Sequence, residues 1–335
     1  MILLDKNENQ YSPSPQCYHV VKNLSMEMFN SYSRNYPKLI KERLSKEFNV
    51  KSDNIMLGYG SEDILKALLH FFVSPGDKVM IPDQSWWYYK AIVDDLKGDK
   101  ILYSMEEKKD TFEWDIKKIL ETIKKERPKV VLVCSPNNPT GNSISIEDIT
   151  EILKHADEDH IVIIDEAYWG FTKPLFKDEH TIQDFKNIAI IRTFSKFYAL
   201  AGVRIGFAFV GDNLKRAADY HSRYLGYNRI SEELTFAALD SKDYYMECAS
   251  KIRKDHDRLY DYFKGIGAKP FRSDANFILI KLLPEQFTKL QRGLEGKGIV
   301  IKFFTESVFE NCLRITIGTE EQTDELLKNF KAILG

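Results

Sequence analysis

The chain is poor in cysteine and has no dominant charge. Its four cysteines, Cys17, Cys134, Cys248 and Cys312, lie far apart with no CxxC spacing. That pattern fits neither a zinc site nor a disulfide-stapled secreted domain, so no metal is expected and a reducing cytoplasm is the expected home. No stretch approaches the about 18 consecutive apolar residues of a membrane-crossing helix. Met1 to Leu4 meet Asp5 and Lys6 before a signal-length apolar core can form. Forty-eight Lys and Arg against fifty Asp and Glu leave a formal charge of −2, too little to hold a polyanion, which excludes nucleic acid as an expected partner. Internal repeats, low-complexity tracts and linkers rich in Gly, Ser or Pro are also missing. The charged runs at 106–110 and 124–129 mix signs or are short, and read as solvated faces. What remains is 335 residues, 43% hydrophobic, enough for a sizeable core in two domains or in one large domain with an appendage.

Short β-branched runs recur between helical patterns. Val130-Val131-Leu132-Val133, Ile161-Val162-Ile163-Ile164, Ile188-Ala189-Ile190-Ile191 and Phe207-Ala208-Phe209-Val210 alternate with helix-like stretches such as 115–126 and 146–155. This predicts an α/β fold with a large, mainly parallel sheet covered on both faces, and ligands at the C-terminal ends of its strands. From about Ser241 the texture changes to a long amphipathic helix, a strand at 277–280, a helix from Pro284, strands near Ile299 and Leu313, and a closing helix. The expected division is a large domain at 34–240, and a smaller α+β domain formed by 241–335 together with an N-terminal arm, 1–33.

Each strand end that should face a cleft is followed by a polar cluster. Ser135-Pro136-Asn137-Asn138-Pro139-Thr140-Gly141 is by itself a turn. Asp165-Glu166-Ala167-Tyr168 puts a carboxylate at the sheet's mouth, where an acid could equally cap the next helix. Thr193-Phe194-Ser195-Lys196 follows the next strand, with Arg204 eight residues beyond the lysine; a lone lysine is normally a surface charge. Together they meet the needs of one cofactor. Pyridoxal 5′-phosphate requires a lysine amine for a Schiff base, an acid to keep its pyridine nitrogen protonated, and donors for its phosphate. Lys196, Asp165 and the set Thr193, Ser195 and Arg204 supply these. Asn138 and Tyr168 are placed to donate to the ring oxygen, and burial with nearby positive charge would hold down the lysine pKa.

These stretches, with Asn7-Glu8-Asn9, Tyr36-Pro37, Gly60-Ser61-Glu62, Asn276-Phe277 and Leu313-Arg314-Ile315-Thr316-Ile317-Gly318, occur in an order that resembles the class I/II, fold-type I aminotransferases, and within them the histidinol-phosphate aminotransferase branch. The resemblance covers nearly the whole chain. It implies a fold-type I architecture and a homodimer with composite sites, in which Tyr36 reaches the phosphate in the other subunit's site. It also implies that Gly60, Ser61 and Glu62 grip the cofactor phosphate at a helix N-terminus. Gly58-Tyr59-Gly60 lacks the third glycine of a dinucleotide loop. Trp87 stands where the family often stacks a tyrosine on the pyridine ring. Arg314 looks like the fork that takes the substrate carboxylate, and Asn9, Tyr227 and Lys302 join it on the substrate side.

The activity implied is transfer of an amino group from a small, possibly phosphorylated, amine or amino acid to 2-oxoglutarate. Lys196, Asp165 and Tyr168 would be the catalytic residues, with Lys196 shuttling the α-proton. The chain departs from the family in three places, one being Gly226 before the Tyr227-Asn228 pair, where proline is common, with Arg229 adding a charge after it. Asn7 has only a short segment before it, which implies that the usual N-terminal lid is missing or supplied otherwise, and Lys302 stands where many relatives have an arginine for the substrate phosphate. A threonine-phosphate-decarboxylase-like enzyme, or an aminotransferase for an aromatic amino acid or aminophosphonate, would share these motifs.

Overall fold

The computed structural model describes residues 1–156, 159–172, 178–222 and 227–335. A seven-stranded sheet runs in the order Ile55–Gly58, Gly206–Val210, Ile188–Thr193, Ile161–Asp165, Val130–Cys134, Lys78–Pro82, Asp99–Tyr103. Its pairs are parallel except where Gly206–Val210 opposes both neighbours. The central strands are buried along their whole length, which explains why they read as continuous apolar runs. Alternate residues feed two cores. Val131, Val133, Val162, Ile164, Ile190 and Phe207 pack on one face, while Leu132, Cys134, Ile163, Ala189, Ile191 and Ala208 pack on the other. Each fully buried Val or Ile contributes about 1.5–3 kcal/mol relative to exposure, which fixes strand register against a one-residue slip.

The covering helices follow from their sequences. Asp115 accepts a hydrogen bond from the Lys118 N–H to cap Ile116–Glu126, which buries Ile119 and Ile123. Ser145 caps Ile146–His155 in the same way and buries Ile149, Ile152 and Leu153.

A second sheet of five strands runs Ile2–Leu4, Ile299–Phe303, Cys312–Thr316, Phe277–Lys281, Lys269–Pro270. The helices Lys242–Gly265 and Glu320–Leu334 pack on it through Leu259, Phe263, Leu326 and Phe330. The larger sheet draws its strands from 55–210 and the smaller from 2–4 and 269–316. The first 33 residues are shared between them: Ile2–Leu4 extends the small sheet in parallel with Ile299–Ile301, whereas the helix Pro15–Lys22 packs on Arg229–Leu239.

The charged run at 106–110 is exposed over 106–109, as expected of a solvated face, and it also makes ion pairs. Met105–Glu107 pairs with Phe112–Trp114 as a hairpin. Glu107 bridges Lys269 at 2.6 Å and Lys281 at 3.1 Å, and Asp110 meets Arg272 at 2.9 Å. The hairpin thus clasps the small sheet, and Met105 and Phe112 share a core cluster with Phe271 and Leu279.

Candidate active site

The strand ends and the small sheet enclose a cavity of about 900 Å³. Ser61, Glu62, Trp87, Asn138, Asp165, Tyr168, Thr193, Ser195, Lys196, Arg204, Lys302 and Arg314 all line it. Register brings the key groups together, because Cys134 pairs with Asp165 and Asp165 with Ile191, so the three strands end at one level.

At one end the helix Ser61–Phe72 presents its N-terminus, where the first backbone N–H groups have no partner within the helix. Gly60 precedes it at φ +87°, and a Cβ there would lie 2.6 Å from Arg204 Nη2. A Cβ on Gly206 would lie 2.3 Å from the Gly60 carbonyl carbon. Both glycines are therefore required for the loop to sit against Arg204. Arg204 Nη1 lies 3.4 Å from Ser195 Oγ, and Thr193 Oγ1 is 2.9 Å from the same oxygen. Helix N-terminus, two hydroxyls and a guanidinium make a cradle for a phosphate. Glu62 lines the cavity but turns its carboxylate to Lys66 at 2.8 Å, an ion pair that holds the acid below its usual range.

In the middle lie Lys196 and Asp165. Burial pushes the Lys196 amine down to about 8; Arg314 and, less strongly, Arg204 push the same way, and Glu8 opposes them. Its Nζ donates to the Lys6 carbonyl at 2.9 Å. Asp165 is buried and its pKa is raised by that burial, against donations from the Tyr89 hydroxyl at 2.7 Å and the Ala167 N–H at 3.0 Å. Tyr168 is pushed up to about 12 by burial and accepts a hydrogen bond from the Asn7 side-chain amide at 2.9 Å. With that lone pair taken, the phenolic proton is free to be donated into the cavity.

At the far end is Arg314. One nitrogen donates to Asn138 Oδ1, another to the Asp5 carbonyl, and the buried Nε makes no hydrogen bond among the described residues. Lys302 pairs with Arg314 across antiparallel strands, which puts the two side chains on one face of the sheet. Among the described residues Lys302 has no ion-pair partner; its Nζ lies 5.7 Å from the Phe304 ring.

Three expected residues sit differently. Trp87 starts the helix Tyr88–Asp95 and is 64% exposed, at the rim. Trp86, which also lines the cavity, is the half-buried indole, edge-on to Tyr89 at 5.5 Å. Asn9 does not line the cavity: its amide donates to Phe197 O and accepts from Tyr11 N–H, tying down the arm. Tyr227 lies in the core beneath the cradle, its hydroxyl donating to Gly206 O and accepting from Gly58 N–H, so it supports the phosphate loop and does not reach the cavity. Tyr36 packs on Tyr227 at 5.6 Å and also stays out of this chain's cavity.

Sequence reasoning missed Asn7 and Tyr89. Asn7 is buried at φ 55°; its N–H donates to Thr316 Oγ1 and its carbonyl accepts from Asn276. An asparagine in a polar motif, a residue type enriched at positive φ, was the available signal. Beneath the site, on the opposite face, Glu166 and Arg192 form a buried ion pair at 2.8 Å that ties together the strand ends carrying Asp165 and Thr193.

Comparisons with known proteins agree with this geometry. The sequence matches the family described as "Aminotransferase class I and II" over residues 1–330. It is 32% identical to the histidinol-phosphate aminotransferase of Ruminiclostridium cellulolyticum over 99% of this chain and 92% of that protein. The fold is that of histidinol-phosphate aminotransferase from Sinorhizobium meliloti solved in complex with pyridoxal-5′-phosphate, with a TM-score of 0.91 at 22% identity over 99% of this chain and 90% of that one. A decarboxylase from Sulfurospirillum multivorans shares the fold at TM-score 0.81 and 24% identity, covering 100% and 96% of the two chains. No helix among the described residues is long and apolar enough to cross a membrane.

Proposed function

The chain belongs to the class I and II aminotransferases and is a pyridoxal-phosphate enzyme, and from that premise we propose that it moves an amino group from histidinol phosphate or a close phosphorylated amine to 2-oxoglutarate. One observation carries the choice of donor: Lys302 and Arg314 pair across neighbouring strands of the small sheet, and both line the cavity. Two cations side by side suit a dianionic phosphate. In histidinol phosphate the phosphoryl arm hangs on the amine-bearing carbon, where an amino acid carries its carboxylate. Arg314 can therefore meet the phosphate of the donor and, in the second half of the cycle, the carboxylate of the acceptor. The relatives named for histidinol phosphate support the same reading.

When bound, pyridoxal phosphate supplies a carbonyl that joins covalently to amines and a ring that accepts the electron pair left when an α-hydrogen departs as a proton. The chain's residues do the rest. Ser61, Thr193, Ser195 and Arg204 hold the phosphate. Asp165 holds a proton on the ring nitrogen. Tyr168, which accepts from Asn7, would donate to the ring oxygen together with Asn138, and Trp86 or Trp87 would pack on the ring. Lys196, about half free of its proton near pH 8, would take the proton from the substrate's α-carbon and return it on the other side of the transfer. Tyr36 completes the phosphate cradle of a second copy in a homodimer.

The test compares glutamate formation from 2-oxoglutarate with histidinol phosphate, histidinol, threonine phosphate and aromatic amino acids as donors. The reading requires histidinol phosphate to exceed histidinol by at least about tenfold in kcat/KM, and Lys302→Met to narrow that gap. Equal rates for both donors would remove the phosphate from the assignment.

A further inference from the structure

Tyr89 belongs to no motif that marked the site, yet it is 1% exposed and points its hydroxyl at the catalytic carboxylate. We propose that Tyr89 is a positioning residue for the cofactor: by donating to Asp165 Oδ2 it fixes the rotation of that carboxylate and keeps it an acceptor for the ring nitrogen. The proposal rests on the assignment of Asp165 to that nitrogen.

The geometry supports it in three ways. First, Asp165 is 4% exposed, and each of its oxygens has one donor, Ala167 N–H on Oδ1 and Tyr89 on Oδ2. A carboxylate has about four lone-pair sites, so acceptor capacity remains on the cavity side while the rotation about Cβ–Cγ is set from both ends. Second, Tyr89 can serve only as a donor there. Burial and the neighbouring Asp165 push its pKa well above the usual phenol value, so the proton stays on the phenol. Third, burial alone drives Asp165 toward its neutral form, which would present a donor to a protonated ring nitrogen, and the Tyr89 bond is the foremost interaction opposing this. The ring of Tyr89 is itself held edge-on by Trp86 at 5.5 Å, so the residue that faces the cavity and the residue that orients the acid sit one helical turn apart.

A merely structural tyrosine and a positioning one are separated by the ligand. Apoenzyme is titrated with pyridoxal phosphate and with its carbocyclic analogue, in which CH replaces the ring nitrogen, and dissociation constants are read from tryptophan fluorescence. Wild type should prefer pyridoxal phosphate, and Asp165→Asn should lose that preference. Tyr89→Phe should cut it by about tenfold or more, the effect of one hydrogen bond to a charged group, while leaving affinity for the analogue within about twofold of wild type.

If Tyr89→Phe weakens both ligands equally, or neither, Tyr89 only packs and the proposal is overturned. If Asp165→Asn keeps the full preference, the assignment of Asp165 fails and the proposal falls with it. The double variant Tyr89→Phe/Asp165→Asn has no buried charge to leave unpartnered, and it keeps the test decisive should the single variant not fold. Its constants should match those of Asp165→Asn within about twofold, and a further loss on both ligands would overturn the proposal.

Discussion

An amine that must capture an aldehyde at neutral pH has to shed its proton, and the surroundings of Lys196 allow this to be quantified. Burial and the nearby guanidiniums of Arg314 and Arg204 lower its pKa from 10.5 to about 8. At pH 7.5 about a quarter of such side chains are free amine, against about one in a thousand for an ordinary lysine, an advantage of about two to three hundredfold. The direction with pH follows. Protonated below about 8, the amine is unreactive; the capture rate rises with pH until the folded pKa is passed and then levels off. The assay is the initial rate at which apoenzyme captures pyridoxal phosphate between about pH 6.5 and 10, divided by that of N-acetyl-lysine in the same buffers to cancel the aldehyde's own titration. The ratio should be greatest below about pH 8 and fall tenfold per unit above it, as the reference amine gains free base and Lys196 no longer does. Replacing Arg314 by Gln removes one of the cations and should move the break upward. A capture rate that still climbs tenfold per unit beyond about pH 9.5, parallel to the reference, would refute the account of Lys196.

Other outcomes follow from the same geometry. Arg314→Lys replaces a fork by a point charge and should raise the KM for the oxo acid by about tenfold with a smaller change in kcat; steady-state kinetics check this, and an unchanged KM would move the carboxylate site elsewhere. Gly60→Ala places a methyl 2.6 Å from Arg204 Nη2 at φ +87°, so it should weaken pyridoxal phosphate binding far more than pyridoxal binding, read by equilibrium titration. Arg192→Met leaves Glu166 buried without its 2.8 Å partner, and should lower stability by about 3–5 kcal/mol in denaturant unfolding.

The large sheet was legible because strands covered on both faces must be apolar throughout, as Ile161–Ile164 and Ile188–Ile191 are. Strand direction was not: Gly206–Val210 runs antiparallel, and an apolar run is the same read either way. The hairpin from Met105 to Trp114 escaped because its strands are three residues long and charged, and its stability comes from partners such as Lys269 and Lys281 that are distant in sequence. Within the site, Lys196 and Asp165 stood out as charges after apolar runs, and Arg314 through the family resemblance. The choice among Trp86, Trp87 and Tyr89 depends on the phase of the helix that starts there, which four consecutive aromatics hide. Asn9 and Tyr227 carry motif positions whose side chains turn inward to hold loops, a distinction only tertiary hydrogen bonds draw.

The most direct test of the central claim is a half-reaction. Enzyme loaded with pyridoxal phosphate is mixed with histidinol phosphate without an oxo acid, and the visible absorbance of the lysine-bound cofactor is followed. The account predicts that the band disappears in one turnover as the cofactor takes the amino group, and that 2-oxoglutarate restores it with formation of glutamate. A band that persists with histidinol phosphate while threonine phosphate releases carbon dioxide would contradict it, and would make this enzyme a decarboxylase built on the same site.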